Sequence, residues 1–213
     1  MAKLKNLKIP VHTNKLLHYF RVGLHGKDWY TNTREELKEI FGYDTDLFIM
    51  FLAATSANTS VKANFTLALK AYRQFTNQIL HYPDVIDVTW KYVFEGYLPV
   101  HKEMLIKAVS GESFGGRKIQ KFVAALLNDK SAIVVDRWML KAFGFPQKIT
   151  DARYRTIENW IMQQAEKENM EPRQVQAALW TGIKLLEGRQ GDTTEPFEAL
   201  LSGLDASQLP NGD

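Results

Sequence analysis

The 213-residue chain is 45% hydrophobic and 24% charged, a composition that builds a core and excludes a disordered polymer. It has no cysteine, which rules out disulfides, thiolate zinc sites and cysteine-held iron–sulfur clusters and is compatible with a reducing, cytoplasmic setting. The net charge of +3 divides into −4 on residues 188–213 and +7 on the rest, and a basic body fits either a nucleic-acid partner or an ordinary soluble domain.

In chain order, the basic residues 1–8 lack the apolar stretch of a signal peptide. Thr33-Arg34-Glu35-Glu36 reads as a capping box ahead of Leu37, Ile40 and Phe41. Asp44 or Thr45 can cap a second helix, Leu47 to Ala54, apolar nearly all round and so expected at the centre. This longest apolar run is too short to cross a bilayer, and no membrane partner is expected. A small polar loop, Thr55 to Ser60, precedes Val61, Phe65, Leu69 and Tyr72 at helical spacing.

Pro83 and Asp84 open a segment with Val85, Val88, Tyr92 and Val93 in helical register. Pro99 interrupts before Met104, Leu105 and Ala108 resume it, and Ile119, Phe122, Val123, Leu126 and Leu127 form a clear stripe. Ala132 to Val135 is a short apolar run, either a strand or a buried approach to a helix. Thr150 or Asp151 caps a helix carrying Tyr154, Ile157, Trp160 and Ile161, and Pro172 opens a last one carrying Val175, Ala178, Leu179 and Leu186. The fold class is all-α, with roughly eight to ten helices by ordinary length statistics. Residues 1–187 read as one helical domain of two lobes around a cleft, and 188–213 as an acidic, flexible tail.

Two residues carry the chemistry. Gly115-Gly116 is a turn before a helix, and Lys118 lies in that helix's first turn at the edge of its apolar stripe. Eighteen residues on, Asp136 ends the apolar run where the next helix could start. An amine and a carboxylate, each at a helix N-terminus, suit attack on an electrophilic carbon, although a surface lysine and a plain helix cap remain the ordinary readings. Glycines before a helix let backbone N–H groups approach a phosphate, and Arg117 and Lys121 add charge there. In the Thr55–Ser60 loop, Asn58, Thr59 or Ser60 can simply cap the following helix; alternatively Thr55, Ser56, Asn58, Thr59 and Ser60 contact DNA. Trp138 and Trp180 can pack a core or stack on an extruded base. The five scattered histidines give no ligand spacing, so neither a metal nor another cofactor is expected.

Gly116-Arg117-Lys118, Phe122 and Val135-Asp136 together resemble the helix-hairpin-helix DNA glycosylase superfamily, which includes endonuclease III and the 8-oxoguanine glycosylases. In that superfamily a glycine-rich hairpin precedes a catalytic lysine, and an aspartate follows about eighteen residues later. Residues Leu52 to Val61 are similar to its DNA-wedging helix–loop–helix, and Gln176 to Trp180 falls where a closing helix would lie. The hairpin is here Glu112-Ser113-Phe114-Gly115-Gly116, and Trp138 replaces a histidine of the family pattern. The resemblance implies a DNA glycosylase, with AP-lyase activity, that flips a base from double-stranded DNA and uses Lys118 and Asp136 without a cofactor; the sequence leaves the oligomeric state open, with a monomer as the expectation. A non-catalytic member of the fold, binding nucleic acid or protein as a phage-related regulator or inhibitor, is the alternative. Val135 to Trp138 and Gln176 to Trp180 also resemble uncharacterised small phage and bacterial proteins.

Overall fold

The structure, a computed structural model, describes residues 7–81 and 90–188. The protein is all-α: those residues form ten α-helices and two short 3-10 turns, with no strand among them. The helices are α1 Thr13–Val22, α2 Trp29–Phe41, α3 Thr45–Ala54, α4 Val61–His81, α5 Trp90–Val93, α6 Pro99–Val109, α7 Arg117–Leu126, α8 Arg137–Ala142, α9 Asp151–Glu168 and α10 Pro172–Glu187. They fall into two compact units: the first contains described residues 7–33 and 124–188, the second 34–81 and 90–123. The expected segment around Val85 and Val88, and the expected tail beyond Gly188, lie outside the described residues.

The first unit is organised around α10. Pro172 occupies its first turn, where no N–H partner is required, and Gln174 Oε1 reaches back to accept from Glu171 N at 3.1 Å. Every residue from Val175 to Lys184 is buried except Trp180, which is half-buried. Packing of α1 against α10 brings backbone onto backbone: a β-carbon on Gly182 would strike the Tyr19 carbonyl, and one on Gly23 the Ala178 carbonyl. Leu16, Tyr19 and Phe20 of α1 join Met139, Leu140, Tyr154, Ile157, Leu179 and Ile183 in a single core. The Ala132–Val135 run is a buried approach to a helix and not a strand. Its polar backbone is satisfied by the buried Tyr154 hydroxyl, which donates to Ile133 O (2.7 Å) and accepts from Val135 N (3.3 Å).

Two charged hubs tie this unit together. Arg173, 4% exposed, donates to Ala125 O, Asn128 Oδ1, Thr31 Oγ1 and Glu171 Oε2 at 3.0–3.1 Å. Glu187, at the end of α10, receives Lys15 Nζ at 3.0 Å, Lys141 Nζ at 3.3 Å and the Tyr19 hydroxyl. The Tyr19 hydroxyl first, with Lys15 and Lys141, holds its carboxyl down at about 2.

The second unit is built on α3, whose residues Phe48, Ile49 and Phe51 to Ala54 are fully buried, as its apolar sequence predicts. Phe41 stacks on Phe48 with ring centroids 3.8 Å apart, and Tyr72 meets both edge-on. Phe75, Trp90 and Phe94 form a second stack, at 5.4 and 6.1 Å. Helices α4 and α6 both pack on α3. His101 of α6, 1% exposed, places Nε2 2.8 Å from Ala57 O and so anchors the α3–α4 loop.

The start of α2 differs from the sequence expectation, whereas α3 starts as expected, with Asp44 at its N-cap position, but without a side-chain cap bond. Thr33 is no cap: α2 begins at Trp29, and Thr33 is a buried residue inside it. Tertiary packing sets that start, because the Tyr30 hydroxyl donates to Gln176 Oε1 at 2.8 Å and Trp29 packs edge-on against Tyr30. Neither Asp44 nor Thr45 caps α3 with its side chain. Thr45 Oγ1 donates to Gly42 O in the 3-10 turn Gly42–Asp44, and Asp44 Oδ2 accepts from the Tyr72 hydroxyl at 2.6 Å. Thr150 does cap α9, its Oγ1 accepting from Arg153 N at 3.4 Å.

Candidate functional site

Lys118 is the second residue of α7 and half-buried. The turn before it is fixed by local chemistry. Phe114 is buried as an anchor, Gly115 and Gly116 are exposed, and Gly116 takes φ +85°, a conformation strained for any residue with a β-carbon. Gln120 Nε2 reaches back to Phe114 O at 2.8 Å and closes the turn. Arg117 and Lys121 are half-buried in the same first turns, so three cationic side chains gather at this helix start. Lys118 belongs to the second unit.

Asp136, in the first unit, is the N-cap of α8. Its Oδ1 accepts from Met139 N at 2.9 Å and its Oδ2 from Trp180 Nε1 at 3.1 Å. Both oxygens thus face fixed N–H donors, which hold the carboxylate in one orientation.

Trp138 and Trp180 lie beside this carboxylate in a cluster that includes Lys184. The Lys184 ammonium stands 4.3 Å from the Trp138 ring centroid and 5.8 Å from that of Trp180, and Lys141 stands 5.2 Å from Trp138. Lys184 is 8% exposed, and Trp29 packs 6.3 Å from Trp180. Both indoles therefore already meet ammonium groups of the fold, which is the usual way an electron-rich ring satisfies a buried lysine. Lys184 was not among the residues singled out from sequence. The available signal was its position four residues after Trp180, which places cation and ring on one helix face.

The loop residues are mostly spent on their own structure. The Thr55 hydroxyl sits 2.9 Å from Phe51 O and 2.7 Å from Asn64 Oδ1, and Ser56 Oγ donates to Ala53 O at 2.8 Å. Thr59 Oγ1 donates to Thr55 O at 3.1 Å, and Ser60 Oγ accepts from Ala63 N at 3.2 Å as the helix cap. Asn58 is exposed at the tip with φ +61°, a left-handed position that asparagine tolerates. Asn58 and Ser60 are the exposed residues of this loop, and Ser60 is engaged as the helix cap.

No helix among the described residues is long and apolar enough to cross a membrane. No curated protein and no solved structure matches the chain. A family model matches residues 22–187, spanning α2 to α10 and both units, so the chain belongs to the Family of unknown function (DUF7178).

Proposed function

We propose that the protein excises a base from double-stranded DNA, with Lys118 as the nucleophile and Asp136 as the charge-stabilising carboxylate. The observation carrying this reading is the pairing of element starts. A lysine follows a glycine turn in the first turn of α7, and an aspartate caps the next helix, α8. The neutral Lys118 amine attacks C1′ of the nucleotide, and the C1′–N bond breaks with its electron pair leaving on the base, which takes up a proton. The attached amine gives up one proton, and its second passes to O4′ as the C1′–O4′ bond breaks, so that the sugar ring opens to a hydroxyl and an imine links Lys118 to C1′. Loss of the C2′ proton then expels the 3′ phosphate by β-elimination and cuts the strand. Asp136 stabilises the positive charge that builds on the sugar as the base departs.

Borohydride reduction during incubation with duplex DNA carrying an abasic site tests the reading. A covalent protein–DNA adduct is expected from the unaltered protein and none from Lys118→Ala. An adduct that persists in Lys118→Ala places the nucleophile elsewhere.

A second reading, a non-catalytic nucleic-acid or protein binder, is favoured by one observation. Both oxygens of Asp136 are engaged in holding the fold together, by Met139 N and by the Trp180 indole. Absence of base release across a broad panel of damaged and modified duplexes would select it.

A further inference from the structure

Helix α4 has 21 residues and contains no aspartate or glutamate. Surface helices ordinarily mix signs, because opposite charges four residues apart stabilise them. Here Lys62, Lys70 and Arg73 fall within about 80° of arc, taking 100° per residue, and so form one stripe. At 1.5 Å per residue the stripe runs about 16 Å along the axis. Lys62 and Lys70 are exposed and Arg73 is half-buried. The Lys70 ammonium rests 5.2 Å from the Tyr97 ring centroid, and Tyr97 is itself held by its hydroxyl to Leu67 O at 3.2 Å. Lys70 is therefore presented from a supported surface.

The stripe leads to an amide-rich end. Gln74, Asn77, Gln78 and His81, with Val93 of α5, line a shallow depression. Positive charge followed by paired donors and acceptors matches a polymer of phosphates and bases better than other anions. An anionic membrane surface requires large apolar side chains on the contacting face. Between Lys62 and Asn77 the exposed positions of α4 carry only Ala63 besides polar groups, so the cationic stretch itself lacks that apolar contact. The exposed Ile79 and Leu80 lie beyond it at the helix end and make anionic vesicles a required arm of the test.

We infer that the exposed face of α4 binds the phosphodiester backbone of a nucleic acid, with Lys62, Lys70 and Arg73 on phosphates and the amide-lined end receiving nucleotide edges. These residues are distinct from Lys118 and Asp136, so the inference holds whether or not a base is excised.

The test is a salt series of anisotropy titrations of the full chain against a short labelled duplex and its single strand. Reversing both charges, Lys62→Glu with Lys70→Glu, should weaken binding about tenfold or more at low salt. It should also lower the slope of log affinity against log salt by about two, since each neutralised phosphate contributes roughly 0.9. Unchanged far-ultraviolet circular dichroism checks the fold, and Lys62→Arg with Lys70→Arg should restore binding. Binding that keeps this dependence while borohydride traps no adduct supports the α4 surface and removes the base-excision reading. The inference is overturned by an unchanged slope, by an equal loss from Lys167→Glu on α9, or by tighter binding to phosphatidylserine vesicles than to either oligonucleotide.

Discussion

Tyr154 shows how much one buried hydroxyl can organise. It satisfies a carbonyl and an N–H of the approach to α8, the segment that delivers Asp136 to its cap. Tyr154→Phe keeps the ring and leaves both backbone groups unpaired, which should cost about 2–3 kcal/mol in denaturant unfolding. Glu187 makes a different prediction. Its folded carboxyl is depressed to about 2 from an ordinary 4.5, so its contribution is complete above the unfolded value. That contribution is lost as pH falls from about 4.5 toward 2. The Lys15, Lys141 and Tyr19 contacts should then loosen α1 and α8 from the end of α10 together. Glu187→Gln should flatten the acid limb of a plot of melting temperature against pH; an acid limb of unchanged steepness would locate the titrating group elsewhere.

At the scale of elements, the α1–α10 contact depends on the absence of two β-carbons. Gly182→Ala should destabilise by about 3 kcal/mol or more, because the carbonyl it meets is backbone and cannot rotate away. In the second unit, Phe48→Ala removes a fully buried ring from the α3 cluster and should cost about 3–5 kcal/mol by thermal or denaturant melting. Helices α9 and α10 were legible in the sequence because their periodicity and their hydroxyl cap or proline are local, and α3 was legible as an unbroken apolar run. The start of α2 was not, since Trp29 and Tyr30 extend the helix through contacts with residues nearly 150 positions away. The same reason hid Arg173, His101 and Lys184: each is polar by composition and buried only because distant backbone or rings receive it. Lys118 and Asp136 were legible as helix-start residues, whereas the Trp180 indole on Asp136 was not, because only folding brings the two together.

At the scale of the molecule, the first unit is discontinuous in sequence and the second is threaded between its two parts. Residues that govern each unit can therefore be perturbed separately. Charge reversal on α4 or at Arg117 acts on the second unit, whereas Tyr154 and Glu187 act on the first. A salt-dependent loss of DNA binding in Arg117→Glu without loss of melting temperature would support a phosphate role for the α7 start. The tight seam between α1 and α10 also bears on where the polypeptide can be cut. The matched family stretch opens at Val22, the last residue of α1, so a fragment trimmed to that boundary discards Leu16, Tyr19 and Phe20 and lays bare the α10 face they cover. Such a fragment should lose near-ultraviolet circular dichroism and associate through the uncovered apolar surface, while one beginning at Leu7 should melt cooperatively. The minimal folding piece is thus longer than the piece by which the family is recognised.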